Sequence, residues 1–516
     1  MPHRRQIIIV GGGAAGWLAA AWLARFFEGR IAITLLESPG IGIISVGEGA
    51  FPTIRSTLRF LGIDETKFIR AASATFKQGI GFNDWLHAPG ADGARHHFLH
   101  PFEAPFYSEG TSLVAYWLLQ DEASRPPFAE AMTIQNRVAE ARRAPKRPGE
   151  GDYAGPLDYA YHFDAGRLAE VIRERAIELG VRHLEGMLTG VERAEDGGIA
   201  RLHTAEHGAL EADLYVDCSG FRAELIGKAL GAPFRSVRHQ LFTDRALACK
   251  IPYDRPDAPI ESVTLATAHE AGWTWDIGLP GARGIGCVYS SAHLSVQRAD
   301  EILRAYIGHG DYEARIIEFE PGWRETQWVK NCVAVGLAGG FLEPLEATGI
   351  VLIEAAIAMI AEFFPHDGPV DAPAQRFNQL MAARFENIVS FLKLHYCLSR
   401  REEPFWRDNR EPGSIPEALQ ALLEQWRYRP PSRFDFLLDL ESFAFFNYQY
   451  ILYGMGFRTD LSSARGDFPN AEAAEKVFAR IRGFGEQAAA DLPTHRALIE
   501  QINEAAPAGA YSVSMF

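Results

Sequence analysis

Ten residues, FLEPLEATGI at 341–350, carry two carboxylates, Glu343 and Glu346, and then Thr348 and Gly349 at the threshold of the apolar run VLIEAAIAMIAEFF. If that run is helical, Thr348 and Gly349 offer backbone N–H groups and the positive end of a helix dipole to an anion, with a base beside them. Thr348 could equally serve as a plain helix cap. Lys77, in ATFKQGIGF, is flanked by Phe76 and by the stretch Gly79 to Phe82. An amine in such surroundings reads as buried or half-buried, where its pKa is easily tuned. Trp273 and Trp275 stand two apart in EAGWTWDIGLPG. On a strand this spacing puts both indoles on one face, as a packed core pair or as a flat apolar wall.

Elements must bring these groups together, and the N-terminus supplies the first. RQIIIVGGGAAGWLAAAWLARF reads as a buried strand, a glycine turn and an Ala-rich helix, with Gly11, Gly13 and Gly16 on GxGxxG. IAITLLE follows as a second strand ending in Glu37, at the distance a dinucleotide fingerprint requires. Glycines let the backbone approach a pyrophosphate at the helix N-terminus, and the acid takes a ribose hydroxyl. The strand, helix and acid stand in register, which separates this stretch from a mere tight turn. ADLYVDCSGFRAELIG and NCVAVGLAGGFLEPLEATGI each read as a strand entering a small-residue turn.

At 516 residues the chain exceeds the usual size of a single core, so two intertwined domains or one core with large additions are expected. A net charge of −15 argues against nucleic acid or an anionic membrane as the main partner, since both need a basic face. Cys218, Cys249, Cys287, Cys332 and Cys397 are scattered without a CxxC spacing, so neither a metal site nor a disulfide framework is expected and a cytoplasmic setting fits. The first apolar stretch is broken by a glycine triplet and is too interrupted to span a membrane. RRAPKRPGEGDYAGP reads as the clearest surface loop.

Taken together, GGGAAGW, SVGEGAFPTIR, TFKQGIGFNDW, HPF, YHFDAGRLAEVI, VDCSGFRAELI, the paired tryptophans, GFLEPLEATGI and YILYGMGF resemble the flavin-dependent halogenases of the tryptophan halogenase family over nearly the whole chain. The resemblance implies an α/β fold with an FAD-binding Rossmann-like core, a mixed sheet and a helical C-terminal substrate region. It implies that FADH2 from a separate NAD(P)H-dependent flavin reductase, with O2, oxidises chloride or bromide to hypohalous acid, which travels through a tunnel to an aromatic substrate. Lys77 matches the family's essential lysine, which holds and polarises the hypohalous acid or is converted to a haloamine. Glu346 matches the catalytic glutamate, and Glu343 then braces the turn. Thr348 and Gly349 become the halide site, and Trp273 and Trp275 the barrier between flavin and substrate, although the motif's proline is displaced to Pro280.

The same resemblance implies cofactor contacts from Gly11, Gly13, Ala14, Ala15, Gly16, Glu37, Ala50, Val191, Leu337 and Ile350. Glu48 to Thr53 become a strap linking flavin and substrate sites, and Pro52, His100 and Phe102 line the substrate. Ala347 departs from relatives that commonly carry Ser. No acid aligns after Tyr448 and Tyr450 to hold an amino-acid zwitterion, so an indole-type or other electron-rich aromatic is expected, with free tryptophan as the alternative. An aromatic hydroxylase and a flavin-binding protein without turnover are the rival classes. The expected FAD-binding core comprises residues 1–110, 155–235 and 330–365, and the substrate region residues 236–329 and 366–516. A homodimer is the default assembly.

Overall fold

A computed structural model describes residues 5–40, 47–108, 111–308, 312–365, 368–437 and 442–504. Ser45 and Val46 of the expected strap motif, and residues 438–441 of the aromatic C-terminal region, lie outside the described residues. In chain order, the elements that matter to the site begin with β1 (Gln6–Val10), α1 (Ala14–Phe27), β2 (Ala32–Glu37), β3 (Gly47–Gly49), α2 (Thr53–Leu61), β4 (Thr75–Lys77), β5 (Gly79–Asn83) and β6 (His97–Pro101). Next come β7 (Ala160–Asp164), α3 (Ala165–Glu178), β8 (Arg182–Glu185), β9 (Leu214–Asp217), β10 (Arg245–Pro252), β11 (Thr264–His269), β12 (Gly272–Gly278) and β13 (Ala282–Tyr289). The last are β14 (Arg315–Glu318), β15 (Trp328–Val329), β16 (Cys332–Ala334), α4 (Thr348–Phe363), α5 (Asp371–Cys397) and α6 (Phe445–Gly454).

Six strands form one sheet in the order β8-β2-β1-β9-β16-β15, parallel except for the last pair. The run QIIIV is apolar without alternation because a parallel strand is covered on both faces, here on one side by the Ala-rich α1. A second sheet of seven strands runs β14-β10-β13-β12-β11-β5-β6 and is antiparallel except where β11 meets β5. Between them lies a small sheet, β3-β7-β4, in which Gly49 and Thr75 both pair with His162. The α/β class with a Rossmann-like core and a mixed sheet is therefore as expected. The segment 1–110 divides between sheets, because β5 and β6 hydrogen-bond into the mixed sheet and leave the parallel one.

The long helix α5 runs beside α4 and carries a buried face from Phe385 to Tyr396. The five cysteines are free thiols. Among the described residues, no helix is long and apolar enough to cross a membrane.

Candidate active site

The glycine turn is built for close approach. Gly11 has φ +121°, and a Cβ there would lie 2.2 Å from the Cys218 carbonyl oxygen. Gly13 ends in extended backbone ahead of α1 with no side-chain cap, and a Cβ on it would meet nothing within 4 Å. The first amides of α1 thus face open space, the arrangement a pyrophosphate requires, so these residues fit a dinucleotide such as FAD. Glu37 closes β2 with its carboxylate across Gly12 and accepts a hydrogen bond from His183 Nε2 at 2.8 Å. Gly12 and His183 escaped the motif reading, since the fingerprint leaves both positions open. Leu337 comes to the same corner on a short turn whose Gly336 abuts Ala15. Val191 is taken up by packing against a second apolar cluster that includes Ile8, Val10 and Leu202. The backbone beside Glu37 is that of Gly186, whose N–H donates to the Glu37 carbonyl at 2.8 Å.

From this corner the chain continues through β3 into α2, passing over Lys77. Lys77 ends β4 and is fully buried, with Nζ 3.4 Å from the Ala50 carbonyl oxygen and 5.3 Å from the centroid of Phe102. Burial lowers its pKa to about 8, against the opposing pull of the Glu346 charge. Phe51, next in the chain after Ala50, packs 6.3 Å from Phe102 and 5.3 Å from Phe443. Pro52 caps α2, whose Thr53 and Thr57 hydroxyls donate to Glu354 on α4 at 2.6 and 2.5 Å.

Glu346 sits in the left-handed region at φ 63°, followed by Ala347 at φ 52°. Two consecutive left-handed residues reverse the hand of the chain and delay the start of α4 until Thr348. Its carboxylate is buried and accepts from His100 Nδ1 at 2.8 and 3.0 Å and from His395 Nε2 at 3.0 Å. Burial alone would raise the carboxyl pKa, and the two imidazoles more than reverse it, holding it down to about 2. His100, expected against a substrate ring, is engaged at both nitrogens, by Glu346 and by Asn447 Oδ1 at 2.9 Å. His395 and Asn447 carried no signal in the sequence: they sit on α5 and α6, with no spacing that ties them to Glu346.

Glu343 looks elsewhere. Its carboxyl accepts from Thr243 and from Tyr396 at 2.8 Å, and burial raises it to about 7 against those hydroxyls and Lys393. Thr348 is buried at the head of α4, whereas a Cβ on Gly349 would meet nothing within 4 Å. Trp273 and Trp275 lie on β12 with ring centroids 6.3 Å apart, on one face as the alternation requires, and both are buried.

The chain matches the tryptophan halogenase family over residues 6–468. A 7-chloro-L-tryptophan 6-halogenase of Kutzneria sp. (strain 744) is 35% identical, covering 95% of this chain and 98% of its own. A tryptophan 7-halogenase of Lentzea aerocolonigenes is 34% identical over 96% of this chain and 98% of its own. Among solved structures, a tryptophan halogenase from Shewanella frigidimarina superposes with a TM-score of 0.91 at 37% identity, covering 97% of both chains. BrvH, a flavin-dependent halogenase from Brevundimonas sp. BAL3, gives 0.86 at 34%, covering 98% of this chain and all of its own. The nucleotide corner, the buried lysine and the doubly gripped glutamate therefore belong to an enzyme of the tryptophan halogenase family, which is flavin-dependent.

Proposed function

We propose that this enzyme halogenates an indole-type, electron-rich aromatic that lacks an amino-acid zwitterion. The observation that carries the reading is the cluster of Lys77, Phe102 and Phe51 on the strap side of Glu346. Reduced FAD, when bound at the Gly11–Gly13 corner, supplies with O2 the oxidising power that turns halide into hypohalous acid. Everything after that falls to the chain's own groups.

Thr348 and Gly349 present uncapped amides to the halide. The Lys77 ammonium, short of hydrogen-bond partners, holds the oxygen of hypohalous acid and polarises it. Phe102 and Phe51 stack a flat ring. Glu346 receives the proton that leaves the ring carbon. Trp273 and Trp275 form a dry wall that keeps substrate from the flavin.

Two buried tyrosines support the choice of substrate. Tyr450 donates its hydroxyl to the Glu103 carbonyl oxygen at 2.9 Å, and the Tyr448 ring stacks on Phe436 at 4.5 Å. The Tyr450 hydroxyl is thereby engaged within the protein. The 7-chloro-L-tryptophan 6-halogenase and the tryptophan 7-halogenase among its relatives favour the second reading, free tryptophan. A homodimer in the cytoplasm, served by a separate reductase, completes the proposal; the free thiols suit a reducing compartment.

One assay decides between the readings. Purified protein with FAD, a flavin reductase, NADH, O2 and either chloride or bromide is offered indole and tryptophan in parallel, and products are read by mass spectrometry. Halogenated indole in excess is expected. Preferential turnover of tryptophan would overturn the substrate, and a hydroxylated product would overturn halogen transfer.

A further inference from the structure

His395 has two contacts that together fix its protons. Its Nδ1 lies 2.9 Å from the Phe391 carbonyl oxygen, one turn earlier in α5, and its Nε2 lies 3.0 Å from Glu346 Oε1. A carbonyl oxygen only accepts, so Nδ1 carries a proton. One more proton must lie between Nε2 and Oε1, because two lone pairs cannot face each other at that distance. It resides either on Nε2, making an imidazolium, or on Oε1, making a neutral acid.

The surroundings choose the first. Glu346 accepts a second N–H, from His100, whose other nitrogen faces the Asn447 amide, a group that can turn either its oxygen or its NH2 to the ring, and a carboxylate with two donors favours its ionised form. The His395 ring is walled by aromatics, with Phe391 and Phe82 centroids 5.1 Å away and Trp85 at 6.0 Å, within the reach at which aromatic rings attract a cation. The charged and titratable groups converging on the carboxylate are Lys77 from β4, His100 from β6 and His395 from α5, while α6 contributes the uncharged Asn447 to His100.

We propose that His395 is a resident imidazolium in the resting enzyme, and that Glu346 and His395 hold one exchangeable proton between them. Resting on the reading that Glu346 faces the substrate, the proton completes halogen transfer. The O–X bond of hypohalous acid breaks and the C–X bond forms. The hydroxide released takes the shared proton through Glu346 and leaves as water. The ring C–H bond then breaks, its electron pair restores aromaticity, and its proton returns to the pair through Glu346. Ring C–H and hypohalous acid become C–X and water, and the pair ends as it began. His395 acts only through Glu346 and is a positioning residue.

The test uses the full-length protein labelled with 15N-histidine. Long-range 1H–15N spectra, assigned by the signal lost in His395→Gln, should show both ring nitrogens of His395 protonated at pH 7. One bare nitrogen overturns the proposal. His395→Asn and His395→Gln, which can donate a hydrogen bond but not ionise, should still bind FAD with unchanged affinity by fluorescence titration. Their kcat should fall by about 100-fold, with the alkaline limb of its pH profile displaced. A native kcat and pH profile in a folded, FAD-binding variant overturns the shuttle. If the unaltered protein shows both nitrogens protonated and yet makes no halogenated product, the proposed function falls while the charge on His395 stands.

Discussion

The two glutamates of FLEPLEATGI stand three residues apart, both buried, and yet they differ in nearly every respect that matters to chemistry. Glu343 rests against two hydroxyls outside the left-handed region, and its carboxyl is pushed up toward neutrality. Glu346 rests in left-handed backbone against two imidazoles and is held strongly ionised. Each also has a buried lysine nearby, Lys393 for the first and Lys77 for the second, lowered to about 7 and about 8 by burial. The comparison teaches that burial does not assign a charge state; the donors do. Hydroxyls share a neutral acid comfortably, whereas imidazole N–H groups require an anion opposite them.

The sharpest way to break the comparison is exchange of function. Glu346→Gln should lower the kcat for halogenation about 1000-fold and Glu343→Gln less than about 10-fold, measured by product formation under saturating FADH2. The reverse order would mean that the roles are misassigned.

Next in size is Lys77→Met, which should abolish product while leaving FAD affinity unchanged, and should also stabilise the protein. Lys77 has a folded pKa below its unfolded one, so its burial as a cation opposes folding at neutral pH. The gain should be about 3 kcal/mol below pH 8 and should vanish as pH rises toward 10.5, as read by urea unfolding at pH 7 and pH 10.

The glutamates themselves should respond to pH with opposite signs. Glu343 has a raised folded pKa, so it opposes folding above about pH 7 and not below 4.5. Glu343→Gln should therefore gain stability over the native protein as pH rises through that window. Glu346 has a depressed folded pKa, so its contribution is present above 4.5 and is lost as pH falls toward 2. Glu346→Gln should lose stability at neutral pH and approach the native protein in acid. Parallel pH curves for the two variants would remove the electrostatic distinction.

The smallest effect is expected at Ala347. Ala347→Gly relieves a left-handed alanine and should stabilise the fold by about 1 kcal/mol in thermal unfolding, with a weaker halide dependence of the rate as the loop loosens.

What could be read before the structure follows a physical divide. The glycine turn, Glu37 and the indole pair declare themselves because local backbone geometry or period-two alternation dictates them, whereas Lys77 stands out by its apolar flanks and by resemblance. The distinction between the two glutamates was legible only through resemblance, because the left-handed backbone at Glu346 leaves no mark in residue type. His395 and Asn447 lie 49 and 101 positions from Glu346 in the chain; the packing of α5 brings the first to the carboxylate and the packing of α6 brings the second to His100. His100 reads from the sequence as lining the substrate, whereas both its nitrogens are engaged, by Glu346 and Asn447, partners that tertiary structure alone supplies. The strand pair β5 and β6 joins the mixed sheet through the distant β11, a pairing no local pattern announces.

The two hydroxyls that α2 lends to Glu354 make the site a closed linkage. Lys77 holds the strap at Ala50, the strap leads into α2, α2 is pinned to α4, and α4 leads back through Thr348 to Glu346, whose charge Lys77 feels. A mechanism of bars with no free joint transmits displacement instead of absorbing it. A displacement of the segment that carries Ala50 is therefore expected to reach the turn that carries Glu346 through α2 and α4.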